Sequence, residues 1–393
     1  MTNAKVTTGV TRPPLPVSTP QIDGVTATDI FVREVRVERS LNLHDEATVT
    51  VLSSRKEMES WIDKPIYFKF GTNPNYGHFH GYIRKVTKPQ KFQENVLVTI
   101  TAIGYSSLSR ASKRRVFTGV TSDSILRKVA EETSMRVFMS PHWFTHKRVA
   151  QSGQTNWEFM VQTAKLASHF ISAVDGVLWA TNPIIELEKL RAFRSFSKAT
   201  QLLDNQELLD FVPSDETKIT KDLLYPEFSF FTSTGQLQAA TWNPDKVPQY
   251  QVIDALEGVQ SYSPDVEEHQ KSPVSNYVYN SEYARLLKEA LTLDVEVNQS
   301  AVARVRGTAA MVPGTVCNFD TGLRNANKDR LDGIWYVSAV SHEINEALFQ
   351  TNLYLVRDKY RAMSSGTYEW FYQTKKPTMA LRDGKWESTW RPQ

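Results

Sequence analysis

A chain of 393 residues with 40% apolar and 11% aromatic content can fill several hydrophobic cores, so about two to four domains are expected and a disordered polymer is excluded. The formal charge of +3 lacks the basic stripe of a dedicated nucleic-acid binder. Cys317 is the single cysteine, which excludes an internal disulfide and fits folding in a reducing compartment.

Residues 1–27 are rich in Thr, Val and Pro, with Arg12-Pro13-Pro14-Leu15-Pro16, and read as an extended arm. No basic–apolar leader follows, and no run reaches the roughly 20 apolar residues that span a bilayer. The sequence is therefore expected to belong to a soluble protein made in the cytoplasm, with no membrane insertion.

Residues 28–116 alternate with period two. Phe31–Val37, Glu46–Leu52, Lys64–Phe70, His78–Thr87 and Asn95–Ile103 each place apolar residues on one face, as Ile66, Phe68 and Phe70 do. Short strands separated by turns predict a small antiparallel barrel or sandwich. Residues 117–222 change period. Ile125, Leu126, Val129 and Ala130 predict a helix over 122–133, and Arg136–Met139 reads as a strand. Thr155 and Glu158 form a capping box at the start of a second helix, whose apolar face carries Trp157, Met160, Val161, Ala164 and Ala167. Asp175-Gly176 marks a tight hairpin turn between Phe170–Val174 and Val177–Ala180. This segment is expected to be an inserted α+β domain.

Residues 223–245 return to strands, with Tyr225–Phe230, Gln236–Trp242 and then Asn243-Pro244. Residues 246–294 read as a linker followed by a helix over 280–291. Within 295–362, Pro313-Gly314 is a turn before the strand Thr315–Phe319. Trp335, Val337 and Val340 share a strand in which Ser338 and Ser341 mark a slight irregularity. Residues 363–393 form a tail with Trp370, Phe371, Tyr372, Trp386 and Trp390. That much aromatic surface predicts either packing on the chain itself or docking on a partner.

Sequence chemistry points away from catalysis. There is no phosphate loop, dinucleotide fingerprint, HExxH or nucleophile elbow, so no catalytic, cofactor or metal residue is assigned. His78 and His80 share a strand face but lack a third ligand. Glu131-Glu132 and Glu267-Glu268 are adjacent acids, read as solvent-facing rather than as a pair opposed across a cleft. Lys113-Arg114-Arg115 reads as the solvated end of a strand. Cys317 reads as a small buried hydrophobe, and His342 as a hydrogen-bonded structural residue.

Several segments resemble the hub proteins of contractile phage-tail baseplates and the N-terminal part of VgrG-type spikes. They are the Thr121–Ala130 helix; Gln151 with Thr155-Asn156-Trp157-Glu158-Phe159-Met160; Asp175-Gly176-Val177-Leu178; Trp242-Asn243-Pro244; Pro313-Gly314; Trp335 to His342; and the strand ending at Arg357. Where that family has Gly-Phe after the second helix, this chain has Ser168-His169-Phe170. The resemblance implies a β-rich α+β fold with two antiparallel barrels of the tail-tube type, residues 28–116 and 223–245 plus 295–362, and the α+β domain hanging outside. It implies a structural homotrimer in the virion that joins the sixfold tail tube above to the threefold spike below. Such a hub contacts other baseplate proteins and passes DNA without sequence preference. The competing expectations are a tail-associated peptidoglycan hydrolase and a carbohydrate-binding tail module.

Overall fold

The computed structural model describes residues 15–53, 59–71, 76–87, 96–139, 145–167, 169–188, 193–197, 208–214, 227–231, 237–243, 246–252, 277–278, 299–321, 331–346, 348–357, 379–382 and 385–388. The expected helix at 280–291 lies outside these residues, as do Trp370, Phe371, Tyr372 and Trp390. The fold is β-rich α+β.

Among the described residues thirteen strands form one sheet. Its antiparallel path runs Leu208–Ser214, Gln299–Arg306, Phe349–Arg357, Gly333–Asn345, Ile30–Ser40, Glu46–Ser53, Val96–Gly104, Gly77–Thr87 and Pro65–Phe70, and ends in the short hairpin Gln21–Ile22/Val25–Thr26. A branch leaves this path where Val316–Asp320 pairs antiparallel with the start of Gly333–Asn345 and parallel with Arg194–Ser197. Among the described residues no pairing joins the two ends of the path.

Period-two alternation explains the N-terminal part. Val35 and Val37, Ala47, Val49 and Val51, and Val98, Ile100 and Ala102 turn to one face and are buried there with Ile66, Phe68, Phe70 and Phe79. Phe68 stacks on Phe79 with centroids 5.4 Å apart. The C-terminal part builds a second core from Phe196, Phe211, Cys317, Phe319, Trp335, Val337, Val340, Leu353 and Leu355. Burial of each such large apolar side chain contributes about 1.5–3 kcal/mol.

The strand Gly333–Asn345 belongs to both parts. Val316–Asp320 pairs along its first residues, up to Tyr336, and Ile30–Ser40 pairs along the same strand from Ala339 onward. Between them the register against Phe349–Arg357 shifts at Ser338. This β-bulge is the irregularity the Ser residues suggested; Val340 beyond it still belongs to the C-terminal core, and Ile344 belongs to the N-terminal one.

The other face of the sheet is polar along its middle, with exposed apolar residues on either side, Val212, Val302 and Tyr354 in one register row and Phe31 and Leu97 in another. One register row crosses six strands through Arg306, Gln350, Glu343, Arg36, Thr48 and Thr101, and ends at Lys85 on a seventh. Both signs of charge and two threonines lie on it.

The α+β unit begins with a β-ribbon, Ser112–Thr121 paired with Thr145–Thr155. The ribbon was not legible in the sequence. Helix α1 (Ser122–Glu131) and helix α2 (Asn156–Leu166) pack Ile125, Leu126, Val129, Met160 and Ala164 against a three-stranded sheet. That sheet places Val177–Thr181 between Phe170–Val174, antiparallel, and Arg136–Met139, parallel. Thr121 caps α1. At α2 the Glu158 N–H donates to Thr155 Oγ1 (3.2 Å) and the Thr155 N–H donates to Glu158 Oε2 (2.9 Å). With no glycine at its end, α2 is closed by His169, whose N–H donates to Ala164 O (2.9 Å) and whose ring Nδ1–H donates to Ala167 O. A short helix α3 (Pro183–Glu188) follows, and its Leu187 packs on Tyr336.

Two stretches take positions that local pattern did not suggest. Leu208–Ser214, inside the span expected as the insert, lies at an edge of the large sheet. Glu227–Phe231 and Leu237–Asn243, expected beside the C-terminal strands, instead form a separate four-stranded sheet with Lys246–Val252 and Tyr277–Val278. The linker expected from residue 246 thus begins with a strand, and its Pro248 is tolerated because that strand is at the edge.

Candidate functional site

The motif residues of separate segments meet where the α+β unit docks on the large sheet. Gly314 has φ 90°, a conformation that favours glycine. Its N–H donates to Val337 O, and the Val337 N–H donates to Thr315 O, both at 2.9 Å. A Cβ added at Gly314 would fall 2.9 Å from Thr181 Oγ1. Thr181 in turn shares a 2.7 Å hydrogen bond with Tyr336 Oη, and Ser172 Oγ donates to Pro313 O at 3.4 Å. The Pro313-Gly314 turn therefore presses directly against the insert.

A second contact centres on Asn42, with φ 63°, which Asn tolerates better than branched residues. Its N–H donates to Ile171 O (2.6 Å), its Oδ1 accepts from the Ile171 N–H (3.0 Å), and its carbonyl accepts from Trp157 Nε1 (3.1 Å). The His44 ring lies 4.8 Å from Trp157. Asn42, Thr181 and Tyr336 were not singled out from sequence. The only sequence signal was an Asn between two strands.

Buried polar groups sit behind this seam. Arg39 and Asp45 pair at 3.1 Å, both nearly excluded from solvent. Burial pushes the Asp45 carboxyl up to about 7 against the downward pull of Arg39, with Asp175 of the insert adding to the rise. His342 is fully buried beside the Phe70 ring (5.1 Å). Its Nε2–H donates to Met311 O (3.3 Å), so its Nδ1 accepts from the Thr351 hydroxyl (3.0 Å). Burial first, then Arg39, lowers its pKa to about 3, so the ring is neutral.

Trp335 and Arg357 also come together. The guanidinium carbon lies 3.9 Å from the Trp335 ring centroid. Arg357 Nε donates to Gln299 Oε1 (2.7 Å) and its terminal nitrogen to Asp332 O (3.1 Å). Asp332 Oδ1 accepts from the Thr321 hydroxyl at 2.6 Å. This is a desolvated cation–π contact with directed hydrogen bonds.

Of the other sequence-selected residues, Phe159 is buried and stacks on Phe117 (5.8 Å). Trp242 lies in Leu237–Asn243 and Trp386 in Lys385–Ser388. His78 and His80 flank Tyr67 on one strand face. Glu132 is not a free acid. It pairs with Lys113 (2.9 Å) and Arg115, and Arg115 reaches on to Gln151 (2.7 Å) and Asn156 (2.9 Å). The basic run is thereby pinned to the ends of α1 and α2, with Gln151 of the motif in the same network. Burial pushes the Cys317 thiol up to about 12, which removes it as a nucleophile. Among the described residues no group of three or more His, Cys, Asp or Glu side chains could hold a metal ion. Neutral histidines, a protonated thiol and paired charges suit these clusters to holding shape.

No family model and no curated protein matches the sequence. Solved structures do. The tail protein from Neisseria meningitidis MC58 superposes with a TM-score of 0.59 at 10% identity, over 88% of this chain and 97% of that one. The 43 kDa tail protein of prophage MuSo2 from Shewanella oneidensis gives 0.56 at 13% identity, over 89% and 99%. An E. coli component of the type VI secretion system, similar in structure to the T4 bacteriophage tail proteins gp27 and gp5, gives 0.54 at 10% identity, over 86% and 77%. At these identities the likeness is one of fold. The chain has the fold of these tail proteins and of the gp27- and gp5-like secretion component, in agreement with the hub resemblance of its motifs.

Proposed function

We propose that the chain is a structural baseplate hub of a phage or phage-like tail. The observation that carries this reading is the extent of the likeness, which takes in 88% of this chain and 97% of the Neisseria tail protein. A fragment shared by chance with a common fold would not run through both chains nearly end to end.

In this reading the two cores are the interiors of two tail-tube-type barrels. The first takes the strands from Ile30–Ser40 to Val96–Gly104, short of the expected bound at 116 because the ribbon from Ser112 belongs to the insert. The second takes the strands within 295–362 together with Arg194–Ser197 and Leu208–Ser214, which pair with them. The sheet they share keeps the two lobes in fixed relation. Three copies then present six lobes, so a threefold ring offers a quasi-sixfold face to the tail tube above and a threefold face to the spike below. A head-to-tail interface that closes at three leaves no open edge. The polar row with its mixed charges becomes part of the wall along which DNA passes. Such a wall holds DNA weakly, since each neutralised phosphate would add affinity and slow transit. The hub has no catalytic duty, is located in the virion baseplate, and is assembled in the host cytoplasm with the other baseplate proteins.

Cryo-electron microscopy of assembled tails tests the proposal. Three copies between tube and spike are expected, and any other copy number overturns the ring. Clearing of a peptidoglycan zymogram by the purified chain would overturn the non-enzymatic reading.

A further inference from the structure

The three-stranded sheet of the insert has one closed face and one that is partly open. Helices α1 and α2 cover the side carrying Val137, Ile171, Ala173, Leu178 and Ala180. The opposite side begins against the large sheet, where Ser172 and Thr181 make their bonds to Pro313 and Tyr336. The same face then runs out into solvent at Phe138 and Trp179, which are 60% and 38% exposed. These two are cross-strand partners and their rings stack, with centroids 4.9 Å apart and planes 22° from parallel. Arg136, two residues before Phe138 and so on the same face, is also exposed.

Arg136–Met139 is the last strand in the order of this sheet. The Arg136 N–H donates to Gly176 O at 3.0 Å, toward the neighbouring strand. Successive residues of a strand direct their backbone groups to opposite sides, so those of Val137 and Met139 point to the open side. Among the described residues no strand pairs with this edge, and the aromatic pair Phe138/Trp179 and the Arg136 cation lie beside it. Unpaired edges of this kind template strand addition.

We propose that this edge receives an extended peptide segment of another protein, which adds as a fourth strand beside Arg136–Met139, lays apolar side chains on Phe138 and Trp179, and sets a carboxylate against Arg136. Three observations favour a peptide. Arg136–Met139 has no strand on its outer side among the described residues, so an added strand can continue its ladder. Arg136 supplies a charge that an acidic residue complements. The two rings each cover a face of the other, which leaves less open ring face for a sugar to stack on.

Selection of a displayed random library of roughly 12-residue peptides against the full chain tests this. The enriched peptides are expected to alternate apolar and polar residues and to contain Asp or Glu. Their affinity, read by fluorescence polarisation, is expected to fall about tenfold or more for Phe138→Ser or Trp179→Ser, with circular dichroism and melting temperature unchanged. Arg136→Glu is expected to turn the selected peptides from acidic to basic. This surface exchange decides the matter should an aromatic replacement unfold the insert. The proposal is overturned if no peptide is enriched, or if the enriched peptides bind Phe138→Ser or Arg136→Glu as well as the parent. Glycan-array binding lost in Trp179→Ser would make the occupant a saccharide. A dimer lost in Phe138→Ser would make it a second copy of the chain.

Discussion

His44, His146 and His342 are held neutral by burial, with pKa values lowered to about 4, about 4 and about 3. A histidine lowered in this way adds stability above its unfolded value of 6.5 and loses it as the pH falls toward the folded value. Asp45 acts in the opposite direction. Raised from 3.8 to about 7, it adds stability at low pH and loses it as the pH rises to about 7. Between pH 6 and 5, unfolding should therefore take up about two protons from these four groups, three gained by histidines less one lost by the aspartic acid. Urea unfolding midpoints should fall over this interval, and Asp45→Asn should steepen the fall. An unchanged slope in the variant would show that Asp45 is already ionised in the fold. Arg357 gives a second residue-scale expectation. Arg357→Met leaves Gln299 Oε1 and the Asp332 carbonyl buried without this donor, at a cost on the order of 3 kcal/mol. Arg36→Met, which removes only an exposed pair with Glu38, should cost less than about 1 kcal/mol. Chemical denaturation of the two variants makes the comparison.

At the scale of elements, α2 depends on its first turn. Thr155→Ala removes the acceptor of the Glu158 N–H and should destabilise the insert by about 1 kcal/mol. Limited proteolysis should then cut first within 112–188 while the large sheet stays intact, whereas simultaneous loss of both would show that the insert and sheet unfold as one unit. Elements with strong local signals were legible in the sequence. The alternation in Glu46–Ser53 and Pro65–Phe70, the Thr155/Glu158 box and the Asp175-Gly176 turn each carry their information within a few residues. Partners chosen at a distance were not. The ribbon Ser112–Thr121/Thr145–Thr155 was missed because Lys113, Arg114 and Arg115 mask its alternation, and its second strand lies beyond α1. Leu208–Ser214 pairs with Gln299–Arg306, some 90 residues on, and alternation in one strand does not name its neighbour. The docking seam was half legible for the same reason. Trp157 and Pro313-Gly314 stood out as types, but the bonds from Asn42 and Thr181 that join them exist only once the sheet and insert are set together.

At the scale of the whole molecule, the last strand of the large sheet among the described residues ends at Arg357, before the aromatic tail. Truncation after Met363 is expected to leave a folded chain with an unchanged melting temperature that incorporates poorly into tails. Normal incorporation into infectious particles would remove the tail's docking role. A truncated chain that fails to fold would assign those aromatics to the core.

The strand Gly333–Asn345, which crosses from one core to the other, also defines how the protein bears load. A pull along this strand strains its ladder lengthwise against Phe349–Arg357, so many hydrogen bonds resist together. A pull across it would open the same bonds one at a time. A tail that transmits thrust would need its tension directed along this strand, and single-molecule pulling in the two directions should give a much larger rupture force for the lengthwise one.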